Sequence, residues 1–458
     1  MNKRGFLVIG LSLWLVFPDG GLAQTNQAPA IHSPRNVILM IADGAGFTQF
    51  RAASLFLTGQ SNGLACDAFP VKLAVSTFSS SGQGYNPRVA ATNPAYVIGY
   101  PTDSAAAATA MATGYKTANG ALGVDTQNRP FSNVVEVASA SGRSAGLITT
   151  VPLSHATPAG FGAHSQDRGQ YAGIADEMVL KSPLTVLMGG GHPLYDVNGN
   201  LYPVPRRFDY VGGFELWEKI RKNEAVGVRI ATAPAGPWTL VEDRSAFVAL
   251  ATGAVPARVL GVARVTQTLQ QERSASRDWN GDGKVNAADA ASEPAFGDPF
   301  VPNVPTLSEM ARAALNVLDD NPRGLFLMIE GGAVDWAGHN NQAGRMIEEL
   351  ADFNDAIRTV CEWVEAHGGW EDTLLVVTAD HETGYLQMAA GGAVEKKGKM
   401  PGLTWLQKGH TNQLVPFFAK GRHADHFTGR VRGTDPVRGP YLDNTDIGRI
   451  LLDTLRAP

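Results

Sequence analysis

The chain has 458 residues, 44% of them hydrophobic and 18% charged, with a formal net charge of −5. That is ample for a large core, in one big α/β domain or two smaller ones. A mildly acidic balance offers no surface suited to nucleic acid.

At the amino terminus, Lys3 and Arg4 precede an apolar run from Phe6 to Phe17, followed by small residues at Gly21 and Ala23. Residues 1–23 read as a secretory signal peptide, and the run is too short for a comfortable membrane span. The mature chain, residues 24–458, is therefore expected in the periplasm or outside the cell, beginning with a polar linker to residue 35. Only Cys66 and Cys361 are present. An oxidising compartment permits one disulfide, but their separation is silent on pairing, and Cys361 falls in a helical pattern suited to a buried thiol.

NVILMIADGAG gives a short apolar strand, Val37 to Ala42, ending at Asp43. Such runs suit parallel strands buried on both faces, and ligands of open α/β sheets collect at the carboxyl ends of those strands. YPTDSAAAATAMATGYKTANG predicts a helix over Ala105–Ala112, capped by Asp103 and stopped at Gly114. Ser104 then sits in the first turn, where free N–H groups and the helix dipole favour an oxyanion or phosphate. Taken alone, the stretch reads more readily as an alanine-rich core helix with a capping serine. No G-x-S-x-G elbow surrounds it, so activation of Ser104 would have to come from a metal.

The strand-then-ligand pattern recurs three times. LITTVPLSHATP ends near His155 and Thr157, and TLLVVTADHETG ends at Asp380 and His381. GLFLMIEGGAVDWAGH ends at Glu330 and then places Asp335 and His339 four apart, on one face of a helical turn. FSNVVEVASASGRSAG reads as a crossover helix, and Gly189-Gly190-Gly191 as a plain loop more than a phosphate cradle. Residues 232–305, richer in Pro, Gly and Ala, read as an insertion on the surface. The region 390–440 is loop-like, with His410 preceding another apolar strand.

Asp43, His155, Thr157, Glu330, Asp335, His339, Asp380, His381 and His410 exceed one tetrahedral shell. Carboxylate with imidazole suits catalytic zinc, and oxygen-rich sets suit magnesium. Two neighbouring metals can stabilise the attacking and leaving oxygens of an in-line displacement, which points to phosphoryl or sulfuryl transfer through Ser104.

Thr102-Asp103-Ser104-Ala105-Ala106, VILMIADGAG, HATPAGFGAHSQDR, IEGGAVDWAGH, TADHETG and GHT, together and in this order, resemble the alkaline phosphatase family. The resemblance spans residue 36 to about 419. It implies a central, mostly parallel β-sheet sandwiched between helices, and hydrolysis of phosphate monoesters at alkaline pH through a phosphoserine. Ser104 would be the nucleophile, with Asp43, Asp380 and His381 holding the zinc that activates it. Asp335, His339 and His410 would hold a second zinc. Asp43, Thr157 and Glu330, with His155 alongside, would form a third site, usually magnesium. Arg168 matches the arginine that grips two phosphate oxygens, a task for its planar fork.

The chain departs from some members at two positions. His155 stands where others carry aspartate, which leaves the third metal's identity open, and Trp336 stands where others carry lysine. His32, His192, His423 and His426 lie outside the motifs and read as surface or structural, and His164 as a packing residue. The resemblance also suggests a homodimer.

Separately, Asp278, Asn280, Asp282, Lys284 (through its carbonyl), Asn286 and Asp289 fit a twelve-residue calcium loop with Gly283 at its turn. An ordinary Asp/Asn/Gly turn is the competing reading.

Two other classes of function stay open here: a phosphodiesterase of the same superfamily, and a secreted phosphate- or metal-binding protein without catalysis. A sulfatase is disfavoured because Ser104 is followed by four alanines.

Overall fold

The run from Val37 to Ala42 forms a strand with every residue buried, β1 (Asn36–Ala42), because helices cover both of its faces. In this computed structural model, residues 33–392 and 395–457 are described, with Met1 and Gly5. The remainder of the signal-peptide segment, the first part of the linker and His32 lie outside the described residues.

Ten further strands join β1 in one sheet. They are β2 (Val71–Ser76), β3 (Ser144–Pro152), β4 (Val186–Gly190), β5 (Thr239–Val241) and β6 (Val259–Val262). The others are β7 (Leu325–Gly331), β8 (Thr373–Thr378), β9 (Val415–Gly421), β10 (Gly433–Asp435) and β11 (Gly439–Asp443). Their order is β10-β11-β2-β9-β8-β1-β7-β3-β4-β6-β5, and all but β9 and β10 run in one direction. This is the expected α/β architecture, a mostly parallel sheet between helices.

The register explains why the ligand-bearing residues meet. Ile41 pairs with Glu330 on one side and Thr378 on the other, and Glu330 pairs with Thr149. The carboxyl ends of β3, β7, β1 and β8 therefore lie in one row, and the residues just after them share one edge. Because β9 runs antiparallel to β8, the segment before it, including His410, reaches that same edge.

The helix Ser104–Thr113 is buried on every side. Its alanines permit close approach by neighbours that are glycine at the contacts. A Cβ on Gly160 would lie 2.7 Å from that of Ala108, and one on Gly448 would lie 2.5 Å from the Gly114 nitrogen. The core-helix reading of this stretch and its site reading thus hold together.

The stretch 232–305 is not a surface insertion throughout. Val259–Val262 pairs in parallel with Val186–Gly190, and Thr239–Val241 extends that edge. Strands of three and four residues need no long apolar run, which is why composition concealed them. Cys66 and Cys361 are free thiols, and burial pushes both above the usual thiol range, Cys361 to about 11. Among the described residues no helix is long and apolar enough to cross a membrane.

Candidate active site

Asp103 caps the helix that starts at Ser104 by accepting from Ala106 N at 3.0 Å, and Gly114 ends it in the left-handed conformation. The second oxygen of Asp103 accepts from Gly120 N at 3.0 Å and Arg168 Nη1 at 2.9 Å. One carboxylate therefore fixes both the helix entry and the guanidinium. Ser104 is only 2% exposed, yet it lines a cavity of about 290 Å³ with His155, Arg168, Asp335, Trp336, His339, Asn340 and His410.

Two acid-and-imidazole groups flank the serine. Asp43, Asp380 and His381 converge at one, where His381 Nε2 lies 3.1 Å from Asp380, 3.5 Å from Asp43 and 3.2 Å from Ser104 Oγ. Asp335, His339 and His410 converge at the other, with contacts of 3.3 Å from His339 and 3.4 Å from His410 to Asp335. Backbone and hydroxyl partners orient all three rings. His410 Nδ1 donates to the Thr102 carbonyl at 2.9 Å and His339 Nδ1 to the Lys408 carbonyl at 2.5 Å. Thr383 Oγ1 donates to Asp335, which turns its lone pair toward His381 Nδ1 at 3.3 Å. With each Nδ1 so occupied, Nε2 is the nitrogen that each ring turns toward the site. Thr383 and the two carbonyls escaped the sequence reading. Backbone atoms carry no sequence identity, and a threonine near a strand end is ordinary.

Beside the first group, Thr157 Oγ1 donates to Asp43 at 3.3 Å, and Thr149 Oγ1 donates to Glu330. His155 stands at the N-cap position of the helix Ala156–Gly162 without a side-chain capping bond, its ring edge-on to Trp336 and stacked on Tyr171. It belongs to neither of the two convergent groups.

The electrostatics call for cations. Burial, then repulsion from Asp380, Asp335 and Glu330, drives the Asp43 carboxyl well above its usual range. Burial lifts Glu330 to about 7 and Asp380 to about 6. Asp335 is the exception: burial opposes its charge, but hydrogen bonds and charge from His339 and His410 hold it well below the usual range. Burial and the Arg168 charge press His155 down to about 3, which keeps it a neutral donor. Asp43 Oδ1, Asp380 Oδ2, Glu330 Oε1 and His155 Nδ1 are buried with no hydrogen-bond partner. Orphaned oxygens and imidazole nitrogens clustered this way fit divalent metal ions of the zinc and magnesium type.

The other predicted residues lie apart. In the 278–289 loop, Asp278 accepts from the backbone of Gly281, Asp282 and Gly283, while Asp282 accepts from Lys284 N. Asp289 is buried and accepts from Trp279, Asn280 and Asn286. Asn280 and Asn286 accept from Asp282 N and Ala288 N. His164 bonds Glu177 and the Phe131 carbonyl, and His192 bonds Glu242. His423 and His426 stack on each other away from the site.

Residues 34–403 match the family model described as alkaline phosphatase. Among curated relatives, alkaline phosphatase 4 of Bacillus subtilis is 29% identical over 388 residues, covering 82% of this chain and 68% of that protein. Streptomycin-6-phosphate phosphatase of Streptomyces griseus is 30% identical over 486 residues, covering 97% and 95%. Among solved structures, the alkaline phosphatase of the Antarctic bacterium TAB5 superposes with a TM-score of 0.63 at 25% identity, over 93% of this chain and 99% of that one.

Proposed function

This chain belongs to the alkaline phosphatase family, and we propose that it hydrolyses phosphate monoesters at alkaline pH through a phosphoserine at Ser104. The observation that carries the mechanism is Ser104 Oγ at a helix N-terminus, 3.2 Å from His381, between two convergent acid-and-imidazole groups. Zinc at Asp43–Asp380–His381 and at Asp335–His339–His410, with magnesium at Asp43–Thr157–Glu330 beside His155, would supply positive charge for the phosphoryl oxygens and lower the pKa of serine and water.

The residues themselves divide the remaining work. Arg168, held by Asp103 through Nη1, keeps further N–H groups to grip the phosphate oxygens. The first turn of the nucleophile helix adds its free N–H groups and dipole. Ser104 Oγ loses its proton and attacks phosphorus, the bond to the leaving oxygen breaks, and the alcohol departs with a proton. Water then attacks the phosphoserine from the vacated side, releasing inorganic phosphate and restoring Ser104. Burial of the reacting centre keeps stray water away and strengthens each of these interactions. Residues 1–23 support export to the periplasm or medium.

The test is p-nitrophenyl phosphate hydrolysis across pH 7–11 by wild type and Ser104→Ala, each after chelation and after return of zinc and magnesium. Turnover is expected only with metal and Ser104 together, with the variant at least about a thousandfold slower. Full activity in Ser104→Ala would remove the nucleophile, and an inactive remetallated wild type would remove the enzyme. A faster rate on bis-p-nitrophenyl phosphate would favour the diesterase reading.

A further inference from the structure

Most side chains around the catalytic cavity already have a task. Ser104 and Arg168 face the phosphate, and Asp335, His339 and His410 form the second acid-and-imidazole group. Trp336 lines the same space of about 290 Å³, and alone among its described lining residues it offers an extended apolar face. Ser104 is 2% exposed, so an ester bound to its hydroxyl lies inside this cavity.

The position of the indole follows from the helix Ala333–His339, which carries Asp335, Trp336 and His339. At about 3.6 residues per turn, Asp335 and His339 share one face and Trp336 flanks it. A row of rings holds the side chain in place. His155 meets Trp336 edge-on with centroids 5.5 Å apart, Tyr171 stacks behind His155 at 6.2 Å, and Tyr210 closes the row against Tyr171 at 4.9 Å. Among the described residues no second ring packs on Trp336, so a tilted contact with His155 leaves one indole face without an aromatic partner. Trp336 is half-buried, and that fixed apolar surface borders the space an ester must enter.

We propose that Trp336 is a specificity-determining residue that packs against the ester group of the bound substrate, and that the preferred monoesters carry a planar aromatic ring on the phosphate oxygen. The proposal rests on the phosphomonoesterase reading. Because Ser104 and Trp336 line one small cavity, a ring joined to the phosphate through a single oxygen lies within reach of the indole. Contact between two rings removes apolar surface from water and adds the attraction of offset or edge-to-face packing. A saturated chain collects only the first of these. The rings behind Trp336 hold it in advance, so little ordering is needed when the substrate arrives.

The experiment compares kcat/KM for 2-naphthyl, phenyl and n-butyl phosphate. It uses the remetallated full chain, Trp336→Phe (which keeps an aromatic face and removes the indole N–H) and Trp336→Leu (which keeps apolar bulk and removes the face). Each substrate is scored as wild type over variant, so the intrinsic reactivity of its leaving group cancels. Unfolding midpoints and bound metal are measured alongside. In Trp336→Leu the naphthyl ester should lose about tenfold more than the butyl ester, and the phenyl ester about threefold more, the worth of one aromatic contact. Trp336→Phe should keep most of the aryl preference. Equal losses for all three esters would put the indole to work on the phosphate or the metal ligands, and would overturn the proposal. An unchanged naphthyl rate in Trp336→Leu overturns it as well. A check on the wild type needs no variant: phenylphosphonate should inhibit about threefold more tightly than n-butylphosphonate, and equal inhibition sinks the aryl preference. A wild type that hydrolyses none of the three esters overturns the monoesterase reading instead.

Discussion

Glu349 lies inside the helix Ala343–Ala366, nearly fully buried, with Glu348 beside it and Asp352 one turn on. Burial, then repulsion from Asp352 and Glu348, lifts its carboxyl from 4.5 to about 8, with Arg273 and Arg345 only partly offsetting this. A group whose folded pKa is raised contributes its full stability below the unfolded value and loses it as pH climbs through the folded one. Between pH 4.5 and about 8, each pH unit therefore costs the native state about 1.4 kcal/mol. The accumulated loss is about 3 kcal/mol at pH 7 and about 5 kcal/mol above pH 8. Glu349→Gln keeps the shape and removes the charge. Urea unfolding of both proteins at matched zinc and magnesium, from pH 4.5 to 10, should show equal stability at the acid end. The variant should then gain progressively to pH 8 and hold a constant lead beyond it. Metal loss at low pH acts on both proteins alike and cancels in the difference. A lead that does not change with pH would mean that Glu349 is ionised at neutrality, and the burial argument would be refuted.

Three other outcomes follow from particular contacts. His155→Asp replaces a neutral nitrogen with a hard, charged oxygen two residues before Thr157, so bound magnesium at the proposed third site should rise, read by metal analysis and by activity against added Mg²⁺. No change in either would place His155 outside that site. Gly448→Ala puts a methyl 2.5 Å from the Gly114 nitrogen and 2.6 Å from the Ala110 carbonyl. It should cost about 1–3 kcal/mol in urea unfolding and lower kcat by displacing the helix that carries Ser104. Calcium added in hundredfold excess over its Kd to chelated protein should raise the melting temperature by about 3–5 °C, an effect absent in Asp278→Ala with Asp282→Ala. An unchanged melting temperature in wild type would leave 278–289 an ordinary turn.

The sequence by itself determined the strands buried on both faces, because runs such as VILMIA and TLLVVT suit little else. It also determined the cap and stop of the Ser104 helix, since Asp103 and Gly114 act within their own turn. Together with the motif order, that was enough to identify the family. What it did not determine was proximity. Asp43 and Asp380 are 337 residues apart in number, and only the parallel register of β1 with β8 sets them side by side. His410 reaches the site because β9 runs against its neighbour, a direction no local pattern encodes. The short strands Thr239–Val241 and Val259–Val262 went unread because three or four residues are too few for a period to show in the sequence. The ring orientations were hidden for a different reason: they depend on the carbonyls of Thr102 and Lys408, and every residue has a carbonyl. Periodicity and local turn chemistry are written along the chain. Register, strand direction and backbone partners arise only when distant segments share one sheet edge.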